Sequence, residues 1–97
     1  MKTITEQATV IGQVQTIQSA DNNYLIEFVI KTIREGESAS INVSTSPFLN
    51  WNLTNLREGN QVQLTGQLTQ EVWQDPFEGS KWEILNLDAT DVSILAA

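Results

Sequence analysis

A chain with no histidine and no cysteine has few routes to covalent chemistry, and this one has neither. Most nucleophile–base triads need an imidazole, and zinc sites are built mainly from thiolate and imidazole, so both kinds of site are closed to it. Carboxylates remain. Glu71, Asp75 and Glu78 crowd around the segment Asp75-Pro76-Phe77-Glu78-Gly79. Such a group could do acid–base work or hold a divalent cation, but in a Pro- and Gly-containing turn it is more often a solvated hairpin. No catalytic residue, metal or cofactor is expected, and the chain does not read as an enzyme.

What is left is aromatic and cationic. Trp51, Trp73 and Trp82 are large planar side chains, and Lys31, Arg34, Arg57 and Lys81 are the cations available to meet phosphates. They are heavily outnumbered. Five Lys and Arg stand against twelve Asp and Glu, a formal net charge of -7, whereas proteins that grip phosphates usually show a basic patch. Glu35, Glu37, Glu58 and Glu83 lie beside these cations in sequence, so charges that merely keep the chain soluble are the competing reading.

The elements that must position these residues are mostly strands. Ala8–Ile17 alternates with Ala8, Val10, Gly12 and Val14 on one small apolar face, and Gly12 marks a bulge that lets a small sheet curl. Tyr24–Ile33 is the second strand, with Tyr24, Ile26, Phe28 and Ile30 toward the core. Leu25, Val29 and Ile33 on its other face need a cover. Ala39, Ile41 and Val43 mark a short third strand. Ser46 and Pro47 are a preferred N-cap and first-turn pair, and Phe48, Leu49, Trp51, Leu53 and Leu56 follow near helical spacing until Gly59. Trp51 therefore reads as packing of a short helix against the sheet. Gln61–Trp73 alternates cleanly, with Val62, Leu64, Gly66, Leu68 and Val72 inward and Trp73 outward. Trp82–Leu95 is the fifth strand, expected to break near Asp88–Asp91.

Three strands, a helix and two strands is the element order of the OB barrel. The expected fold is all-β: a five-stranded OB barrel with one short helix between strands three and four. Ninety-seven residues, 40% apolar and 18% charged, suit one domain covering 1–97. No apolar run nears the roughly 20 residues that cross a bilayer. Met1–Gln7 has no apolar core of a secretory signal, which makes the cytoplasm the expected location and leaves the triplets Asn42-Val43-Ser44 and Asn52-Leu53-Thr54 without meaning as glycosylation sites.

The ordered set Val10-Ile11-Gly12-Gln13-Val14, Phe28-Val29-Ile30-Lys31-Thr32, Gly59 to Leu68 and Val72-Trp73-Gln74-Asp75 resembles bacterial single-stranded DNA-binding proteins over about Ala8 to Leu95. The compact, acidic form is most similar to the small members of that kind in cyanobacteria and plastids, which would place it in the cytoplasm or the plastid stroma. The resemblance implies sequence-non-specific binding of single strands by base stacking over a cationic groove, in replication, repair or recombination. It assigns Trp73 to the family's Trp before the strand-four turn, and matches Trp82 to an aromatic of the fifth strand. Trp73 is then either a stacking platform or a subunit contact. Trp82 is a core or interface aromatic, or a second contact to nucleic acid. Other stacking positions of the family fall near Ala39 and Thr45, which are not aromatic, and no Trp or Phe follows Arg34. The family's Gly/Pro-rich tail with its acidic tip has no counterpart before Ala97.

The nucleic-acid contacts expected are thus Trp73, Trp82, Lys31, Arg34, Arg57 and Lys81. The resemblance also implies a homo-oligomer, dimer or tetramer, and Leu25, Val29 and Ile33 are the apolar face for it. The alternative is an OB module turned to protein–protein contact, favoured by the acidic balance and the missing aromatics.

Overall fold

Polar strands are harder to see in a sequence than apolar ones, and the first strand shows why. The computed structural model describes residues 2–18, 21, 23–34, 36–46 and 55–96. It contains β1 (Lys2–Gln18), β2 (Tyr24–Arg34), β3 (Glu37–Thr45), β4 (Gln61–Gln74) and β5 (Lys81–Ala96). β1 begins at Lys2, not Ala8, because its polar outward row has partners on β4. Gln67 Nε2 donates to Thr3 Oγ1 at 2.7 Å, the Thr5 and Thr65 hydroxyls meet at 3.1 Å, and Gln7 Nε2 donates to Gln63 Oε1 at 3.3 Å. Cross-strand pairs of this kind contribute roughly 0.2–1 kcal/mol each.

The sheet closes on itself in the order β1-β2-β3-β5-β4, as the OB barrel requires. β1 must serve two partners to close it. Lys2–Thr9 pairs with β4 and Thr9–Gln18 with β2. The register with β2 jumps between Ile11 and Gln15, and Gly12 sits there with φ 81°. The expected bulge is the bend that carries β1 from one partner to the other.

Alternation then fills the barrel. Val10, Ile30, Ile41, Val43, Val62, Leu64 and Leu87 are fully buried, with Phe28, Ile26, Leu68, Ala89 and Val92 around them. The buried Thr45 hydroxyl donates to the Ala89 carbonyl at 3.0 Å, and Thr32 to the Gln7 carbonyl at 3.2 Å. Among the described residues no buried side-chain polar atom lacks a partner.

Four expectations change. Tyr24 is half-exposed, because β2 reaches it before β3 pairing starts at Ile26. Val72 is exposed, because β4 and β5 run on past the barrel wall. β5 is not broken near Asp88–Asp91; it carries a bulge there, with Thr65 opposite Asp91 and Gly66 opposite Ala89. The helix from Ser46 to Gly59 falls mainly on residues 47–54, Trp51 included, outside the described residues. No α-helix stands between β3 and β4 among the described ones: residues 55–60 form a turn instead. Asn60 Oδ1 accepts from the Arg57 amide at 2.7 Å, and the backbones of Gly59 and Asn60 bond to Val10 at 2.8 and 2.9 Å. These bonds tie the turn to β1 and bury Leu56 beneath the core.

Candidate functional site

Beyond Leu68 and Leu87 the β4–β5 ladder leaves the barrel as a free hairpin. β3 pairs with β5 only over Asn42–Thr45 and Asn86–Ala89, so among the described residues no third strand stands beside the outer end of the hairpin. Trp73 and Trp82 are directly opposite each other on this hairpin, and they are 53% and 51% exposed. Residues directly opposite share a face with Cβ atoms about 4.5–5.5 Å apart. The two indoles therefore form one aromatic surface.

The turn holding that register is built by Asp75. Its Oδ1 accepts from the amides of Phe77 at 2.8 Å and Glu78 at 3.3 Å, and its backbone bonds to Ser80 and Gly79 close the loop. The carboxylate that sequence alone left open to acid–base chemistry is thus occupied in shaping a turn. Among the described residues no three His, Cys, Asp or Glu side chains are grouped to hold a metal. Phe77 projects from the tip almost fully exposed. Sequence reasoning passed it over as a turn residue; an aromatic between Pro and Gly, with no strand to place it in a core, was the available signal.

Along the same outward row of β5, Trp82 is followed by Ile84 and Asn86, and Asn86 enters a groove on the barrel wall. The groove has a volume of about 340 Å³, and Gln13, Gln15, Glu27, Val29, Asn42 and Ser44 line it with Asn86. Asn42 Nδ2 donates to Asn86 Oδ1 at 3.4 Å. Four residues of strand span about 13 Å, so the groove and the Trp pair are continuous along one outer surface. The wall is rich in amides and hydroxyls, and one carboxylate, Glu27, stands in it. Amides carry no periodic sequence signal, and these residues were not anticipated.

The cations are spread unevenly around this surface. Lys31 is exposed on β2, between Thr9 and Ser40, one outward row from Val29 and Asn42 of the groove. Arg57 lies exposed in a recess shared with Gly12, Val14, Leu56 and Glu58, and Gln13 borders both recess and groove. Lys81 is opposite Gln74, one residue from Trp82, so strand alternation turns it to the other face of the hairpin. Arg34 ends β2 opposite Glu37; its side chain lies outside the described residues. Trp73 and Trp82 thus stand together on the outer row that leads to the groove, and Lys31 lies on the outward row of β2 that lines it. Arg57 lies by Gly12 and Val14 at the opposite end of β4, and Lys81 is on the other face of the hairpin.

Leu25, Val29 and Ile33 share the outward row of β2, but they do not make a continuous apolar patch. Glu27 and Lys31 interleave with them; Leu25 and Val29 are half-buried beside Ile17 and Ile11 of β1, and only Ile33 is largely exposed. Thr45, near which the resemblance would set a stacking aromatic, is buried and points inward.

No protein-family model matches the chain, and no curated protein sequence does. Solved structures do. The mitochondrial single-stranded DNA-binding protein Rim1 of S. cerevisiae superposes with a TM-score of 0.72 at 20% identity, over 98% of this chain and 95% of that one. The chain has the fold of that protein. A Plasmodium falciparum SSB in complex with single-stranded DNA matches at 0.68 and 14% identity, over 98% and 95% of the two chains. The N-terminal domain of PriB from Thermoanaerobacter tencongensis, described as dimeric, matches at 0.70 and 19%, over 98% and 97%. The likeness runs the length of the barrel and includes the hairpin that carries the two tryptophans.

Proposed function

We propose that this chain is a sequence-tolerant single-strand nucleic-acid-binding protein and not an enzyme. The observation that carries the reading is the half-exposed Trp73–Trp82 pair, set on the outer row that runs into the groove. Every base has a π-face, so a stacking surface accepts any sequence. The neutral amides of the groove can then meet sugars and base edges, while Lys31 and Arg57 meet phosphates at its margins. OB barrels use this wall and the β4–β5 loop for oligonucleotides, and the Plasmodium neighbour seen with single-stranded DNA supports the same use here.

Replication, repair or recombination is the setting that suits such an activity, in the cytoplasm. The compact, acidic composition supports the narrower likeness to the small cyanobacterial and plastid proteins, for which the plastid stroma is the alternative location. The protein works as a homo-oligomer, a reading supported by the dimeric PriB domain and the exposed Ile33. Light scattering at micromolar concentration should give at least twice the 10.8 kDa chain mass; a lone monomer there would count against it.

Binding should be weak and only modestly salt-dependent. The slope of log affinity against log salt is about -0.7 per phosphate neutralised on a single strand. Two or three phosphates met by the available cations give a slope near -2, or about a hundredfold loss over a tenfold rise in salt. Oligo(dT) should quench tryptophan fluorescence at low salt with that slope. Absence of any quenching or anisotropy change at about 20 mM salt would refute nucleic-acid binding. Protein contact would then be the reading left, favoured by the acidic balance of the chain, a formal net charge of -7.

A further inference from the structure

β3 and β5 run side by side for four residue pairs only, Asn42–Asn86 to Thr45–Ala89. Outside that stretch they diverge. Glu37–Ile41 of β3 pairs with β2 alone, and Lys81–Leu85 of β5 pairs with β4 alone. Among the described residues, each strand thus turns an unpaired backbone edge toward the other. Open edges are templates for a further strand.

Between the edges lies a cleft of about 550 Å³. Ser38, Ala39 and Ser40 line one side, and their small side chains leave the β3 backbone approachable. Leu68 and Leu85 supply apolar surface, and the carboxylates of Glu37 and Glu83 stand on the two walls, with no cation among the described lining residues. Trp73 and Trp82 are on the other face of the hairpin, since Glu83 is opposite Val72, one residue out of phase with them.

We infer that this cleft takes an extended basic segment of another protein, added as a strand along the Glu37–Ser40 edge. Four residues of edge span about 13 Å, enough for a short segment. Strand addition satisfies the open backbone groups, and alternate side chains supply selectivity. Glu37, which is opposite Arg34, and Glu83, which shares its face of the hairpin with Lys81, complement Lys or Arg on that segment. A second copy of this chain is a poor occupant: it has five cations, and none lies within two residues of another. The inference stands whether or not the outer face binds nucleic acid.

The test is fluorescence anisotropy of a labelled short peptide alternating Lys and Val, titrated with the full chain. Saturable binding is expected. Glu37→Lys with Glu83→Lys should weaken it about tenfold or more. Glu58→Lys with Glu71→Lys makes the same change in net charge away from the cleft and should leave it within about twofold. The same peptide N-methylated at alternate amides should lose binding, because it cannot donate to a strand edge. No binding by the native chain, equal loss in both double variants, indifference to N-methylation, or displacement of the peptide by oligo(dT) each overturns the inference.

Discussion

Trp73→Ala combined with Trp82→Ala should abolish single-strand binding under conditions where the native chain binds. Base–aromatic stacking is worth about 1–3 kcal/mol per base. Two indoles, each about half-exposed, therefore account for roughly 2–6 kcal/mol, or between about thirtyfold and about twenty-thousandfold in affinity. With few cations to hold phosphates, little remains once they are gone. Each single variant should lose about 1–3 kcal/mol. Because the two side chains are direct cross-strand partners, the losses need not add, and the departure from additivity measures how far they act as one platform. A labelled oligo(dT) followed by anisotropy reads all of these without relying on the tryptophans removed. The pair projects from a free hairpin, so circular dichroism and the thermal midpoint should stay near native. If the double variant binds as the native chain does, this surface is not the site, although the barrel fold is untouched by that result.

How far such a site can be read from residues alone depends on which contacts make it. The alternation of Val62, Leu64, Gly66 and Leu68 placed β4, and it also set Trp73 outward, because both follow from the two-residue period of a strand. The same period failed at Val72. It continues unchanged past the point where the barrel ends, and that point is set by where β3 stops pairing with β5, a contact between segments more than forty residues apart. Trp82 could be matched to a strand but not to Trp73, since their register depends on the length and hydrogen bonding of the Asp75–Ser80 turn. Lys2–Gln7 escaped notice because its Thr and Gln residues are stabilised by partners on β4 rather than by burial. The groove of Gln13, Asn42 and Asn86 was invisible for the related reason that neutral amides have no pattern, only neighbours. Gly12 was legible as a bulge because a lone glycine within an alternating run has few other uses.

Gly66→Ala should be a damaging change although it adds only one carbon. Gly66 reads in sequence only as one more inward position of β4, but its role is a close approach of two backbones. A Cβ there would run into the Asp88 carbonyl oxygen and come 2.7 Å from Ala89 Cα and 2.9 Å from Asp88 C. These are main-chain atoms of β5, not the mobile end of a side chain, so relief requires the strands themselves to part. They are also held where they are. Ala89 is opposite Gly66 at the Thr90 bulge, its carbonyl accepts from the buried Thr45 hydroxyl, and the four β3–β5 pairs end on it. Overpacking a well-filled site costs about 1–3 kcal/mol, sometimes more, and a site walled by backbone belongs at the upper end. The urea midpoint should fall accordingly with the slope unchanged. A second consequence separates this from ordinary destabilisation. Moving β5 away from β4 at Gly66 also moves the base of the hairpin, so the variant should bind oligo(dT) more weakly even where it is fully folded. Core truncation at Leu64, fully buried on the same strand, should lower stability by about 2–5 kcal/mol while the folded fraction keeps native affinity. If Gly66→Ala proves as stable as the native chain, the close approach of β4 and β5 is not a constraint, and the register that brings Trp73 and Trp82 together must be held by the Asp75 turn alone.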